Sequence, residues 1–311
     1  MNAIYQVAGV SKQAYHQHKQ REQQQAILLD ELEEQVRIIR KDHPGCGLEK
    51  IYRSLQPEWI GRDRFMTTFM ELGYGVVKRK NYHRTTIPTH IRFPNLIGGM
   101  LIMDANTVWQ TDITYFFCKP ENRFYYLVFI IDIYTKVIRG YAVSDHMRAE
   151  ANIDALKMAF GSVEQPLINL IHHSDRGSQY VSANYQQLLK DRGIYISMGV
   201  CAQDNAYAER VNGTIKNEYL SYWNIDSLSK LRKHTKKAVW HYNHKRIHNH
   251  LPRNKSPSEF EKELIHLSDQ DRPKVIVYAE GNFKIHQASS QVDFRPRQEP
   301  QVHVCPIVIS Q

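Results

Sequence analysis

The sequence lacks the features of several protein classes. Its longest apolar run, Tyr125 to Ile131, is much shorter than the about 20 residues of a membrane-spanning helix and is followed by Asp132. The N-terminus becomes polar within a few residues, without the apolar core of a signal peptide. The sequence has four widely separated cysteines, Cys46, Cys118, Cys201 and Cys305. Because none of them is paired at short spacing, a zinc knuckle or a disulfide framework is not expected. We therefore expect a reduced, cytoplasmic protein that does not enter a membrane.

Charge is present in excess but is distributed unevenly. The 41 Lys and Arg exceed the 32 Asp and Glu, and the sequence pI is about 9.2. Residues 101–200 carry 9 basic and 10 acidic groups, whereas residues 1–100 carry 15 and 10, and residues 201–267 carry 12 and 7. A near-neutral middle between basic regions suits a carboxylate site with flanking surfaces that hold a polyanion. An ordinary solvated surface explains the charge equally well.

Residues 1–85 are predicted to be entirely helical. Ser11 follows a Gly turn and has the position of an N-cap, which is compatible with a helix-turn-helix fragment or with an ordinary helical hairpin. Hydrophobic spacing predicts a long amphipathic helix over 22–41, followed by short helices over 48–55 and 62–72. The region is thus a candidate for a small helical domain that binds DNA.

The basic stretch 78–84 alternates positive and aromatic residues and opens with Lys78-Arg79-Lys80. This pattern can hold nucleic acid by stacking and phosphate contacts, and a solvated linker explains it equally well. A linker is predicted over 86–103. At the other end, the tail 268–311 has strand-like pieces but no motif and no charge bias.

The region 104–267 changes to the period of strands. β-Branched and aromatic runs predict strands over 108–117, 124–134, 137–143, 167–172 and 195–198. Helical patterns lie between and after them, over 149–160, 178–192, 205–220 and 228–244. A three-strand meander followed by alternating helices and strands indicates an α/β layer fold with a mixed sheet.

Three acidic residues stand out in this region. Asp112 lies inside an apolar strand, where an unpaired carboxylate is costly to bury. Asp175 follows a strand, at the end where open α/β sheets place their sites. Glu209 lies on a predicted helix whose single stripe, at about 100° per residue, also carries Asn205, Asn212 and Lys216. Such a face is suited to a metal ion and a phosphate chain.

Like charges brought together cannot all stay ionised without a counter-charge. Oxygen ligands favour Mg²⁺ or Mn²⁺ over zinc, and two such ions support an in-line phosphoryl displacement. For each acid alone, a helix cap or turn residue is the more common explanation.

At these residues the sequence resembles the integrase-core (DDE) transposases of bacterial insertion sequences, specifically the type encoded by a second open reading frame. The strings around Asp112 (Trp109–Tyr115), Asp175 (His172–Tyr180) and Glu209 (Asp204–Lys216) look like the three catalytic blocks. Tyr242-Asn243, His248 and Ser256-Pro257 are similar to the C-terminal signature. The match extends over most of the chain, from about residue 5 to 265.

The resemblance implies a ribonuclease-H-like catalytic core over 104–267, preceded by an all-α, helix-turn-helix-like domain over 1–85. Its expected function is metal-dependent DNA strand cleavage and strand transfer at the ends of a mobile element. Asp112, Asp175 and Glu209 are then the catalytic and metal-binding residues, with Mg²⁺ or Mn²⁺ as cofactor. The expected DNA contacts are Lys216, Asn212, Asn205, Arg176, Gln179, Lys78, Arg79 and Lys80.

The implied partner is double-stranded DNA, both element ends and target. Two ends must be held together, so we expect at least a dimer on DNA, nucleoid-associated when bound, and a first-open-reading-frame product as a further partner. Thirty-three residues separate Asp175 from Glu209, a shorter spacing than the family leads us to expect. This departure keeps a catalytically inactive DNA-binding derivative as an alternative, beside a structure-selective nuclease on the same fold.

Several neighbouring residues have competing interpretations. We expect His172 and His173 to shape the site or contact phosphate, because in a two-metal reaction the metal generates the nucleophile. Trp109 is expected in the core, with stacking on DNA as the alternative. The basic run Lys230–Lys237 is either a DNA-backbone-binding face or a solvated helix face.

Overall fold

A computed structural model describes residues 11–76, 93–164, 166–199, 201–277 and 286–287. The helices are α1 (Lys12–Asp42), α2 (Leu48–Leu55), α3 (Arg62–Glu71), α4 (Ala149–Gly161), α5 (Ala183–Lys190), α6 (Ala206–Thr214), α7 (Leu228–His244) and α8 (Pro257–Leu264). The strands are β1 (Met100–Ile102), β2 (Val108–Cys118), β3 (Arg123–Asp132), β4 (Ile138–Ser144), β5 (Ile171–Ser174), β6 (Tyr195–Met198), β7 (Val275–Ile276) and β8 (His286–Gln287). In this described part of the chain, every helix is too short or too polar to cross a bilayer.

Helix α1 is longer than the sequence indicated. It begins after Ser11, whose hydroxyl accepts a hydrogen bond from the Ala14 amide at 3.1 Å, and continues without a break to Asp42. Its first half, residues 12–26, is fully exposed. Because this half carries no apolar stripe, hydrophobic periodicity could not reveal it, although its Gln, Lys and Arg residues are good helix formers.

The three N-terminal helices share a small core of their own. Its buried residues are Leu32, Val36, Cys46, Leu48, Ile51, Ile60, Phe65 and Phe69. Tyr74, just after α3, packs against this core. Its hydroxyl donates a hydrogen bond to Glu33 at 2.8 Å and accepts one from Arg37 at 3.1 Å. The predicted helical unit therefore packs as one compact body over the described residues.

The central sheet has five strands in the order β4-β3-β2-β5-β6. Strands β2, β3 and β4 form the predicted antiparallel meander, whereas β5 and β6 run parallel to β2. Alternate residues of β3 point to opposite faces, as the pleat requires. Leu127, Phe129 and Ile131 pack on the face covered by α6 and α7, and Val128 and Ile130 on the face covered by α4 and α5.

The stretch predicted to be a linker ends in a strand. β1 pairs antiparallel with β7 and parallel with β8, which makes a small second sheet from segments more than 170 positions apart in the chain. Ile102 of β1 is buried in one cluster with Ile97, Tyr134, Phe260 and Val277. The tail, for which the sequence offered no role, thus contributes Val277 and the partly buried Val275 to the core.

One glycine fixes how closely helix α4 lies on the sheet. A Cβ atom on Gly140 in β4 would stand 2.0 Å from the Ala155 carbonyl oxygen and 2.7 Å from the Ala159 nitrogen. Only hydrogen at this position lets the helix backbone contact the strand. The small residues on α4 that face it, Ala155 and Ala159, are fully buried.

Gly140→Ala should lower the free energy of unfolding by about 2–3 kcal/mol, because the added methyl group forces α4 away from the sheet. Gly161→Ala, at the exposed end of the same helix, meets no atom within 4 Å and is the matched control. Urea unfolding of both variants measures the difference. Equal stability of the two would contradict the close-contact explanation.

Candidate active site

The sheet register brings two carboxylates side by side. Thr111 of β2 pairs with Ser174 of the neighbouring parallel strand β5. Asp112 and Asp175 each follow the paired residue by one position. The two aspartates are therefore brought together by direct strand pairing.

Glu209 reaches the same place from helix α6, which packs against β2 and β3. Burial, and after it the charges of Asp175 and Glu209, raise the pKa of Asp112 to about 7. The pKa of Glu209 is raised by burial and by the charge of Asp175, and the pKa of Asp175 is raised by burial. All three carboxyl groups thus resist ionisation together, as expected for acids gathered in one partly desolvated site.

Hydrogen bonds orient two of the carboxylates. Asp112 accepts from the Asn212 side-chain amide at 2.8 Å and from the Ile113 backbone amide at 2.9 Å. Asp175 accepts from the Gly177 backbone amide at 3.0 Å. Each bond favours the charged form and partly offsets the effect of burial.

Gln110 is a buried residue that the sequence analysis did not single out. Its side-chain oxygen accepts from the backbone amides of Tyr207 and Ala208, at 3.1 and 3.3 Å, and its nitrogen donates to the Asp204 carbonyl at 2.7 Å. The amides at a helix start lack partners within the helix, so this side chain satisfies two of them. Gln110 therefore holds the beginning of α6 against the strand that carries Asp112. A polar amide in an otherwise apolar strand was the available signal.

Asn205 and Asn212 contact protein groups where DNA contacts were predicted. Asn205 is buried and its amide donates to the Thr111 carbonyl at 3.0 Å. The amide of Asn212, also buried, binds Asp112. The predicted stripe does face the site, but these two members orient the helix and the carboxylate. Lys216 is half-buried; burial lowers its pKa, and the charge of Asp112 opposes that shift.

The other predicted DNA contacts differ in accessibility. Arg176 is half-exposed and its Nε donates to the Gly199 carbonyl at 3.2 Å. Gln179 is only 8% exposed, and its amide donates to the Met147 carbonyl at 3.4 Å. Internal bonding therefore occupies the amide of Gln179. Lys78, Arg79 and Lys80 lie outside the described residues.

The two histidines of the second block are structural and neutral. His172 bonds the Tyr185 hydroxyl at 2.6 Å, and His173 bonds the Ser197 hydroxyl at 2.8 Å. Burial lowers the pKa of His172 to about 3 and that of His173 to about 4. Trp109 is fully buried and donates to Asn106 at 3.1 Å, so it belongs to the core.

The basic run on α7 is partly occupied by contacts within the protein. Lys237 forms an ion pair with Asp42 of α1 at 2.8 Å, and Lys230 pairs with Asp226. Arg232 donates to the Val143 carbonyl at 3.3 Å. These residues join elements of the fold, which neither the solvated-face nor the DNA-face interpretation anticipated.

The residues of the C-terminal signature stabilise neighbouring elements of the fold. The Asn243 side chain accepts from the Ile138 amide at 2.9 Å and donates to the Ile138 carbonyl at 3.0 Å, beside the β-bulge where β3 and β4 shift register. Ser256 and Glu259 form a capping box that begins α8 at Pro257. Tyr242 is buried on the face of the sheet that α6 and α7 cover. The signature thereby secures the edge of the sheet and the chain that follows it.

The donor set fits a hard divalent cation, because the three acids offer only oxygen. Within the described residues, however, no three His, Cys, Asp or Glu side chains stand at metal-ligand spacing. The carboxylates are near enough to shift one another's pKa.

Comparison with known proteins identifies the family. Two integrase core domain models match residues 104–202 and 193–257. The chain is 34% identical over 270 residues to the insertion element IS600 uncharacterized 31 kDa protein of Shigella sonnei, covering 82% of this chain and 96% of that protein. It is 31% identical over 258 residues to the putative transposase for insertion sequence element IS986/IS6110 of Mycobacterium tuberculosis, covering 77% and 90%. The chain belongs to the integrase-core transposases of bacterial insertion sequences.

The transposase is of the second-open-reading-frame type, as its motifs predicted, and its core has the ribonuclease-H-like α/β fold. Its function is DNA transposition and integration by polynucleotidyl transfer, and integrase cores depend on divalent metal ions. Among solved structures, the chain is similar to the HTLV-2 integrase catalytic core domain in complex with magnesium (trimeric form), with a TM-score of 0.41 and 22% identity. That match covers 54% of this chain and 99% of the other.

The metal-free transposase should lose stability between pH 5 and pH 8 through Asp112. The pKa of this carboxyl is about 7 in the folded protein against 3.8 as a free group, so the folded state binds the proton more tightly and loses that advantage as pH rises. Asp112→Asn removes the loss. In urea unfolding with EDTA, the free energy of unfolding of Asp112→Asn relative to that of wild type should increase by about 1–2 kcal/mol between pH 5 and pH 8. This range includes a discount for solvent screening.

The exposed Asp145→Asn is the control for this measurement and should show no such trend. A pH-independent difference between Asp112→Asn and wild type would mean that Asp112 ionises normally.

Gln110→Met should destabilise the transposase by about 2–4 kcal/mol, because it leaves two helix amides and a carbonyl buried without partners. Gln203→Met changes an exposed side chain in the turn before α6 and should be neutral. Thermal unfolding of both variants tests the role of the side chain. A neutral Gln110→Met would show that α6 is held by other contacts.

Proposed function

We propose that Asp112, Asp175 and Glu209 are the catalytic carboxylates of the transposase and bind two Mg²⁺ or Mn²⁺ ions during DNA cleavage and strand transfer. The observation that carries this assignment is the pairing of β2 with β5, which places Asp112 and Asp175 side by side, with Glu209 on the helix that packs against β2. The charges of Asp175 and Glu209 raise the pKa of Asp112, which supports a shared site. A bound divalent cation would relieve the repulsion between these carboxylates.

The ions supply activation of a water or a 3′-hydroxyl and stabilisation of the leaving oxygen. The protein supplies orientation. Asn212 directs one Asp112 oxygen, the Gly177 amide directs one Asp175 oxygen, and Gln110 fixes the start of the helix that carries Glu209. Lys216, close enough to interact with Asp112, is placed to contact a DNA phosphate at the cut. Its partial burial strengthens such a contact by reducing competition from water.

The assignment extends to DNA-binding surfaces and assembly. We propose that the helical region 1–85, with its basic stretch at Lys78–Lys80, contacts element-end DNA, while 104–267 performs the chemistry. Arg176 is the remaining candidate near the site with a half-exposed cationic side chain. Two element ends must be joined to one target, so the working unit is at least a dimer on DNA. A first-open-reading-frame product is proposed as the partner that recognises the ends.

The inactive alternative has no specific support at the site. Asp112, Asp175, Glu209 and Lys216 are all present. On either side of position 200, the described residues of the shortened loop form hydrogen bonds: Gly199 donates to the Ser174 carbonyl at 2.9 Å, and the Cys201 amide donates to the Asp204 carboxylate at 3.1 Å. The other alternative, a nuclease that hydrolyses DNA without joining it, is distinguished from a transposase by the products of the reaction.

The test uses a labelled duplex carrying the element end, a target duplex, and Mg²⁺ or Mn²⁺. Wild type should nick the end and join it to the target. Asp112→Asn, Asp175→Asn and Glu209→Gln should each reduce both steps by about 1,000-fold or more, because each removes a charge that holds the ions. Asp145→Asn should retain full activity.

Isothermal titration with Mn²⁺ gives a second measurement that does not depend on turnover. The three variants should lose heat-producing metal binding, whereas Asp145→Asn should keep it. Full cleavage and metal binding in any of the three would remove that residue from the site. Cleavage without joined product would favour the nuclease.

A further inference from the structure

Contacts between the N-terminal helices and the core converge on Glu218. This residue lies in the π-helical turn Ile215–Tyr219, which continues α6 without a break. Arg246 grips its carboxylate with two hydrogen bonds, at 2.8 and 2.9 Å. From the helical unit, Lys50 lies 3.0 Å from one carboxylate oxygen and His43 lies 2.6 Å from the other. One acid thus joins α2, the chain before it, and the segment after α7.

The backbones also meet at this point. The Gly45 amide donates to the Glu218 carbonyl at 2.8 Å, and a Cβ atom on Gly45 would stand 2.6 Å from the Glu218 Cα. The ring of His43 stacks on Tyr219 with centroids 4.5 Å apart and planes 3° apart. No side chain fits between the turn and the helix at Gly45. The two parts of the chain are therefore in direct, closely fitted contact.

The charge of Glu218 is firmly held. Burial opposes its ionisation, but the hydrogen bonds from Arg246 and His43 outweigh burial and keep its pKa below the usual range. A partly buried carboxylate with such partners is strongly destabilised if they move away. π-Helical turns inside helices are frequent at functional sites, which gives the location added weight.

The segment Ala206–Tyr219 is therefore fixed at two ends. Gln110 holds its beginning beside Asp112, and the contacts of Glu218 hold its end against the helical unit. Glu209 lies between these two points on the same rigid segment. A small shift at the far end must tilt or slide Glu209 relative to the two aspartates, which belong to the sheet.

We propose that Glu218 and the turn His43–Cys46 form a joint that sets the orientation of the catalytic helix, so that the position of the helical unit on DNA controls the placement of Glu209. Glu218 is a positioning residue, since its contacts are to His43, Lys50, Arg246 and Gly45. The inference rests on the proposed role of Glu209. Misplacement of a reacting group by about 1 Å lowers rates by about 100-fold, so a small movement at the joint is sufficient.

Two glycines of one turn provide a matched test. Gly45→Ala adds a methyl group that collides with the Glu218 backbone and should push the two sides of the joint apart. The substitution changes no charged residue. Gly47→Ala, two residues later, meets no atom within 4 Å. We expect Gly45→Ala to lower the single-turnover rate of strand joining at saturating DNA by about 10- to 100-fold. The Kd for element-end DNA should stay within about twofold of wild type, and Gly47→Ala should match wild type in both.

A measurement without catalysis accompanies the rates. Amide hydrogen exchange over residues 206–214 should become faster in Gly45→Ala than in Gly47→Ala, because the far end of the helix has lost its support. Should Gly45→Ala fail to fold, Glu218→Gln replaces it, since this variant keeps the shape of the side chain and removes the charge. It should give the same separation of rate from affinity.

The joint is refuted if the folded Gly45→Ala, or Glu218→Gln in its place, joins DNA at the wild-type rate, or if the whole loss is weaker DNA binding. Unchanged exchange over 206–214 would also refute it. Failure of the proposed function is distinguishable: there, Asp112→Asn in the same assay would be as active as wild type. The exchange measurement would still decide whether Glu218 supports α6.

Discussion

Mutual repulsion of three carboxylates is the constraint around which the core of this transposase is arranged. Asp112 and Asp175 are brought together by the pairing of β2 with β5, and Glu209 is added from a helix on one face of the sheet. Without metal, this arrangement is unfavourable, since burial raises the pKa of each acid and like charge adds to the shift for Asp112 and Glu209. The surrounding structure must therefore be stable enough to maintain it.

Part of that stability comes from buried polar side chains that form hydrogen bonds between elements of the fold. Gln110 and Asn212 attach α6 to the strand of Asp112, and Asn243 attaches α7 to the bulged edge of the sheet. Each side-chain amide satisfies backbone or carboxylate groups that would otherwise be buried without partners. The large apolar faces of β3 hold the helices, while these few polar contacts determine their register. Such contacts make the geometry of the site specific.

Polar contacts also link motifs that lie far apart along the chain. Glu218 belongs to the third block, Arg246 lies within the C-terminal signature, and His43 and Lys50 belong to the helical region. The positive charges of Arg246 and Lys50 compensate the negative charge of Glu218 in a site that is mostly shielded from water. The helical unit is thereby attached to the helix that carries Glu209. Recognition of DNA and the chemical step are connected through this attachment in our proposal.

Prediction from sequence succeeded where local patterns were strong. The meander, β6 and α7 follow from β-branched runs and helical spacing, and the predicted bounds of β6 and α7 agree with the structure. Strand β5 lies at Ile171–Ser174, later in the chain than the predicted 167–172. It was less accurate where no apolar pattern existed, as in the exposed first half of α1, or where pairing partners were far apart, as for β1 and β7. The π-helical turn at Ile215–Tyr219 also left no signal, because its residues are ordinary helix formers.

By itself, the sequence determined the fold class and singled out the three acids that we propose as catalytic, because periodicity and residue type are local properties. It could not determine what the neighbouring polar residues do. Asn205 and Asn212 lie on the predicted stripe, yet they bind protein groups, and the C-terminal signature secures structure. Only the tertiary structure decides these roles, because a buried amide takes its function from whichever unpaired group the folded chain places beside it.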